Sequence, residues 1–132
     1  SRTRMVLEGI ERAMHDGKSE KISIDEQLTI EHVMPQDWRA NWPMPEDSTL
    51  EDEMQREEVL QSFGNLTLVT KKLNPSMSNG PWSEKKAALQ EHSALTMNRR
   101  LQKFTKWGEA NIAERGQEMC DIALKIWPRP TE

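Results

Sequence analysis

Residues 29–38 read TIEHVMPQDW, and this stretch combines the pattern of a β-strand with an ionisable Glu-His pair that precedes a proline. Every second residue from Leu28 to Met34 is apolar, except His32. This two-residue period is typical of a β-strand, and Pro35 ends the strand. Buried strands seldom hold two neighbouring ionisable groups unless something requires them. The stretch therefore predicts a strand that presents Glu31 and His32 near its end.

The fold predicted around this strand is mainly α-helical, with one short two-stranded antiparallel hairpin. The letters FGN form a turn before a second strand, Leu66 to Thr70. Apolar residues at helical spacing predict helices over about residues 2–16, 49–62, 83–91, 97–104 and 107–127, the first ended by Gly17 and the third capped by Ser83. Residues 36–49 read as an irregular loop, and Asn74 with Pro75 predicts one helical turn.

The composition is that of a polar but folded chain. Its 132 residues predict one domain with one substantial core, although 30% of them are charged and the mean hydropathy is -0.84. The sequence has no run of about 18 apolar residues and no basic segment followed by an apolar one, so neither a membrane span nor a secretory signal is expected. Because the sequence opens in mid-pattern without a methionine, we interpret it as part of a larger protein.

Cys120 is the only cysteine. A disulfide within the chain and a thiolate zinc site are therefore both excluded. Its neighbours, Met119, Ile122 and Ala123, predict that it is a small core residue. A single cysteine also fits a reducing, cytoplasmic location.

Charge is distributed unevenly behind the net value of -4. Residues 46–58 contain seven acidic residues and one basic residue, which is a local charge of -6. Residues 64–107 contain eight basic and two acidic residues, a local +6. The basic part could bind DNA on one face, but from charge alone an ordinary solvated helix surface is the favoured interpretation.

Each polar residue that could serve a site also has an ordinary structural explanation. His32 could be a core histidine with satisfied hydrogen bonds, and Asn65 could be a turn residue that follows a glycine. Asn74 precedes a proline, which is the pattern of a helix N-cap. Asn79 precedes a glycine and reads as a turn.

The order and spacing of these residues change the interpretation. The segments EHVMPQ, GNLTLV and LNPSMSN together resemble the His-Me finger, or ββα-metal, motif of HNH endonucleases, and are similar to the pattern DHIVPQ … N … N in the HNH domain of CRISPR effectors. The rest of the chain more closely resembles the C-terminal nuclease domain of GmrSD-type, modification-dependent type IV restriction enzymes and related phage-defence proteins. Trp107, Ile112, Arg115 and the closing IWP at residues 126–128 carry that second resemblance.

The resemblance covers nearly the whole chain and implies a ββα-metal core wrapped by helices, in a single HNH-like nuclease domain over residues 1–132. His32 would be the general base that takes a proton from water, and Asn65 would hold the loop that orients it. Asn74 and Glu31 would be metal ligands, with Asn79 in support. Strict strand alternation points Glu31 away from His32, so both would reach one ion only where the strand end is irregular.

The implied chemistry is internally consistent. A histidine is a competent base near neutral pH, and departure of a 3′ oxygen requires a cation to balance its developing charge. Oxygen ligands from Asn and Glu suit Mg²⁺ or Mn²⁺ rather than zinc. Four lysines flank the expected site and would contact phosphates, or would simply be solvated: Lys71, Lys72, Lys85 and Lys86. Three tryptophans are expected to be core or loop anchors: Trp38, Trp42 and Trp82.

The sequence thus predicts a metal-dependent endonuclease domain that nicks or cuts duplex DNA in a bacterial anti-phage restriction protein. The resemblance also implies an N-terminal sensor or NTPase domain as its partner. One alternative is a helical module that keeps the fold and binds DNA or a protein without cutting. A second is a structural domain in which the Glu-His pair only makes buried hydrogen bonds.

Overall fold

The computed structural model describes residues 1–15 and 28–127. Within these ranges the chain is mainly helical and contains one two-stranded antiparallel hairpin, which confirms the coarse fold prediction. In chain order the elements are α1 (Arg2–Met14), β1 (Thr29–His32), α2 (Leu50–Leu60), a 3-10 turn (Phe63–Asn65), β2 (Leu66–Val69), α3 (Pro75–Ser78), α4 (Trp82–His92), α5 (Thr96–Leu101) and α6 (Glu109–Ile126). Gly17, the predicted end of α1, lies outside the described residues.

The hairpin is short and its second strand is buried throughout. Glu31 pairs with Thr67 and His32 with Leu66, so Glu31 and His32 lie on opposite faces, as strand alternation requires. β1 ends at His32, two residues earlier than the alternation of apolar residues suggests. Val33 still donates to the Asn65 carbonyl oxygen at 2.8 Å, in register with the ladder, but the backbone bends at Val33 and Met34.

Helix α6 closes against the turn that precedes β2. A Cβ atom on Gly64 would overlap the carbonyl oxygen of Ile112 and lie 2.9 Å from the backbone nitrogen of Gly116, so the two backbones meet where only glycine fits. Arg115 donates from Nη1 to the carbonyl oxygens of Gly64 (2.9 Å) and Leu66 (2.7 Å). Burial lowers the pKa of Arg115 to about 10. These contacts fix the position at which β2 begins.

Two details of the predicted helices are wrong. Helix α4 begins at Trp82 with Pro81 at its N-cap, so Ser83 lies inside the first turn and makes no capping hydrogen bond. Cys120 is exposed rather than buried, because the stripe of α6 that faces the core runs through Met119, Ile122 and Ala123 and leaves position 120 on the outer face. Trp38, Trp42 and Trp82 are buried in the apolar core, as predicted. No helix in the described part of the chain is both long and apolar enough to cross a membrane.

Candidate active site

Asn65 fastens the segment that follows His32. Its side chain is fully buried and makes four hydrogen bonds. Nδ2 donates to the carbonyl oxygens of Met34 (2.9 Å) and Leu60 (3.0 Å). Oδ1 accepts from the Met34 backbone nitrogen (2.7 Å) and from Trp107 Nε1 (3.1 Å). The amide thus binds both backbone groups of a residue two positions after His32, which is the geometry expected of a residue that holds this loop.

The His32 imidazole is half-buried, and its Nε2 atom lies beside two glutamine side chains. Gln61 Oε1 is 3.1 Å from Nε2, and the Gln36 amide nitrogen is 3.3 Å from the same atom. One ring nitrogen cannot donate and accept at once, so the two contacts belong to different tautomers of the neutral ring. When Nε2 carries the proton it donates to Gln61, and Nδ1 is then the atom that can accept a proton.

The Glu31 carboxylate is buried on the other face of β1 and is held by two donors. Its Oε2 atom accepts from Lys85 Nζ and from Ser78 Oγ, each at 2.8 Å. Lys85 also donates to the His32 carbonyl oxygen (2.8 Å) and to the Ser78 carbonyl oxygen (2.5 Å). Burial lowers the pKa of Lys85 below its usual range, and the neighbouring Glu31 carboxylate opposes that shift.

Glu31 and His32 nevertheless share one cavity of about 270 Å³. Three consecutive residues of β1 line it, so the cavity lies along the edge of the strand rather than on one face. Its polar lining consists of Glu31, His32, Gln36, Asp37, Ser78 and Asn79. The predicted pair therefore meets at a common space although the two side chains leave opposite faces of the strand.

The structure separates Asn74 from Asn79. Asn74 caps α3: its Oδ1 accepts from the Met77 backbone nitrogen (3.0 Å) and from Ser76 Oγ (2.8 Å). The oxygen that a metal would require is thus engaged in the cap, and Asn74 is not among the residues that line the cavity. Metal binding by Asn74 stays a prediction, whereas Asn79, expected only in support, lies at the cavity itself.

The four predicted phosphate-contacting lysines do not form one surface. Lys85 is 0% exposed, so the prediction that it contacts DNA is wrong: α4 packs this position against the hairpin, where three acceptors surround its ammonium. Lys86 is partly buried and donates to the Phe104 carbonyl oxygen at 2.8 Å. Lys71 and Lys72 are exposed.

The cavity lining fits a hard divalent cation by its chemistry. Among the described residues, no group of three or more His, Cys, Asp or Glu side chains is arranged to hold a metal ion. Mg²⁺, however, is commonly bound through one or two carboxylates and completes its shell with water and substrate phosphates. Glu31, Asp37 and Asn79 supply oxygen donors of that kind. Within the described chain, Lys85 and Ser78 bond only to Oε2 of Glu31, which leaves Oε1 for such an ion.

Sequence reasoning missed Gln61 and Ser78, and it gave Lys85 a different role from the contacts that the structure shows. Gln61 is the C-cap residue of α2 and lies 29 positions from His32, and nothing in its local sequence marks it. Ser78 was hidden inside a polar loop. Lys85 carried a readable signal, because Trp82, Lys85 and Leu89 follow helical spacing and share the buried face of α4.

A family comparison covers all of these residues. The sequence model of the C-terminal domain of GmrSD restriction endonucleases matches residues 1–122 of the 132-residue chain. A search among curated proteins found no match to the chain. The matched region includes the hairpin, the cavity and most of α6. It indicates a nuclease of the restriction-endonuclease type, with DNA as its substrate.

Proposed function

The chain belongs to the family of C-terminal domains of GmrSD restriction endonucleases, and on that premise we propose that it is a metal-dependent DNA endonuclease of the HNH type with His32 as general base. The single observation that carries the proposal is the shared cavity of Glu31 and His32, beside a loop that the buried Asn65 amide fastens. The paired strands β1 and β2, which α2 and the 3-10 turn separate in sequence, are followed directly by α3, and this arrangement supports a ββα-metal core.

His32 takes a proton from a water molecule as that water attacks the phosphorus atom of DNA. In the tautomer whose Nε2–H is donated to Gln61, Nδ1 is the basic atom, and this tautomer is the one that the proposed step uses. Asn65 keeps the following segment in place and so limits how far the imidazole can move. Glu31, Asp37 and Asn79 would hold Mg²⁺ or Mn²⁺. When bound, the ion would stabilise the negative charge that develops on the departing 3′ oxygen.

DNA contacts outside the cavity rest on Lys71 and Lys72, whose exposed ammonium groups would contact phosphates without reading sequence. The acidic segment, residues 46–58, includes most of α2, and α2 ends beside His32 at Gln61. Its carboxylates would repel DNA phosphates on that side of the cavity. DNA would therefore approach from the side of the cavity away from α2. An N-terminal sensor or NTPase domain would select the modified DNA.

The test is nicking of supercoiled plasmid with Mg²⁺ or Mn²⁺, and with EDTA. His32→Ala is expected to lower the nicking rate by about 10²- to 10⁴-fold, the usual loss for a general base. His92→Ala is the matched control, because His92 is also half-buried, but its bond within residues 1–15 and 28–127 is one that its backbone oxygen accepts from Thr70. Wild-type nicking by a folded His32→Ala variant would refute the assignment. DNA binding by a wild-type protein that never cleaves would favour the non-catalytic binding module instead.

A further inference from the structure

Lys85 is a fully buried ammonium group that three acceptors surround. They come from three places: the carboxylate of Glu31, the backbone oxygen of His32 and the backbone oxygen of Ser78. Burying a charge is costly unless it is paired and hydrogen-bonded, and the three donor positions of an ammonium match these three acceptors. A neutral side chain of the same length would leave all three acceptors without this donor.

The acceptors belong to the two residues that face the cavity and to the end of α3. Glu31 and His32 are consecutive in β1, and Ser78 is the last residue of α3, immediately before Asn79 at the cavity. Lys85 itself is in the first turn of α4. One ammonium therefore joins the strand that carries the base to the end of α3, next to the amide of Asn79.

We propose that Lys85 is a positioning residue of this site, which holds the Glu31 carboxylate by Oε2 and the main chain at His32. The inference rests on the proposed function, because it assigns Lys85 a task in the same reaction. With Oε2 engaged, the carboxylate cannot rotate freely, and Oε1 is the oxygen that would bind a cation. The hydrogen bond to the His32 carbonyl oxygen fixes the backbone from which the imidazole projects.

The positive charge of Lys85 gives this arrangement a recognisable signature. The ammonium lies 2.8 Å from Oε2 and repels a second cation at the same carboxylate. Removal of the charge should therefore strengthen Mn²⁺ binding while it loosens the geometry on which the rate depends. Loss of outer-shell partners typically costs about 10- to 100-fold in metal affinity or activity, and here the relief of charge repulsion opposes the loss of affinity, so the loss is expected in the rate. A purely structural lysine would not produce these opposite changes.

The experiment compares Lys85→Met with Arg56→Met in plasmid nicking at saturating Mn²⁺ and in calorimetric titration with Mn²⁺ alone. Arg56 is a matched control, because it is also a buried cation bonded to a carboxylate (Glu109) and to a backbone oxygen (Trp42). Lys85→Met is expected to nick about 10- to 100-fold more slowly and to bind Mn²⁺ at least as tightly as wild type. Arg56→Met is expected to have a lower melting temperature than wild type but the same nicking rate.

A wild-type rate in Lys85→Met, or weaker Mn²⁺ binding by the folded variant, would overturn the inference. If Lys85→Met does not fold, the double variant Glu31→Gln with Lys85→Met removes both charges of the pair and is compared with Glu31→Gln alone. The double variant is expected to be at least about tenfold slower, because the His32 carbonyl oxygen loses its donor; equal rates would overturn the inference. Failure of the wild-type protein to nick any DNA would instead reject the proposed function.

Discussion

Replacement of Asn65 by alanine tests the link between the buried amide and the candidate base. The substitution removes four hydrogen bonds and leaves four buried groups unpaired: the Met34 nitrogen and oxygen, the Leu60 oxygen and Trp107 Nε1. Each such group costs about 1–3 kcal/mol, so the simple sum is about 4–12 kcal/mol. Single substitutions rarely exceed about 4–5 kcal/mol, because the backbone relaxes and water enters, so we expect a loss of about 4 kcal/mol.

This loss should leave the protein folded at 25 °C. The free energy of unfolding of a 132-residue chain is typically about 7–20 kcal/mol. If this free energy falls by about 2 kcal/mol per molar of urea, a loss of about 4 kcal/mol lowers the urea midpoint by about 2 M. Urea denaturation followed by circular dichroism measures that shift. The nicking rate, measured where the variant is folded, should fall by about 10- to 100-fold, because a misplacement of about 1 Å can cost about 10²-fold.

Asn98→Ala separates this effect from a general loss of stability. Asn98 is also fully buried, and it bonds to the Leu68 carbonyl oxygen (2.7 Å), Ser93 Oγ (2.7 Å) and Thr67 Oγ1 (2.5 Å). None of these residues lines the cavity. Its replacement should cost similar stability and leave the nicking rate of the folded protein near the wild-type value. Equal nicking rates in the two variants would refute the idea that Asn65 acts through His32.

Three further substitutions test the fold, the metal site and the DNA contacts. Gly64→Ala should cost more than about 3 kcal/mol in thermal or urea denaturation, because its Cβ overlaps the α6 backbone; a loss below about 1 kcal/mol would contradict the close approach. Asn79→Ala should raise the Mn²⁺ concentration required for nicking, whereas Asn74→Ala should cost only the stability of an N-cap, about 0.5–2 kcal/mol; the reverse pattern would make Asn74 the ligand. Replacing Lys71 and Lys72 by alanine should flatten the salt dependence of DNA binding by about 0.9 in log–log slope per lost contact, and an unchanged slope would leave both lysines as solvated surface.

Local signals predicted much of the fold because they depend on nearby residues. The alternation around Ile30 and His32 located β1, and Thr49 with Asp52 forms the capping box that starts α2. Asn74 followed by Pro75 started α3 as expected. In each case the physical cause lies within a few residues of the element that it specifies, so one sequence was sufficient to find it.

The site was less predictable because its contacts join distant parts of the chain. Helical spacing places Lys85 on the buried face of α4, but its acceptors lie 54, 53 and 7 residues away, and no local pattern identifies them. Asn74 and Asn79 are the same residue type in one loop, and only the path of the backbone decides which of them reaches the cavity. Gln61 entered the site because α2 ends beside His32, which no local pattern indicates.

The motif residues alone do not account for the geometry of the cavity. Two strands of four residues form a hairpin that would be marginal in isolation. It is stabilised because α6 anchors the start of β2 through Arg115, α4 places Lys85 beneath the end of β1, and Trp107 bonds to Asn65. All three residues follow the hairpin and α3 in sequence. The segment from β1 to α3 contains the proposed base and its neighbours, yet the contacts that fix their relative positions come from the helical shell, so the site requires most of the region that the family model matches.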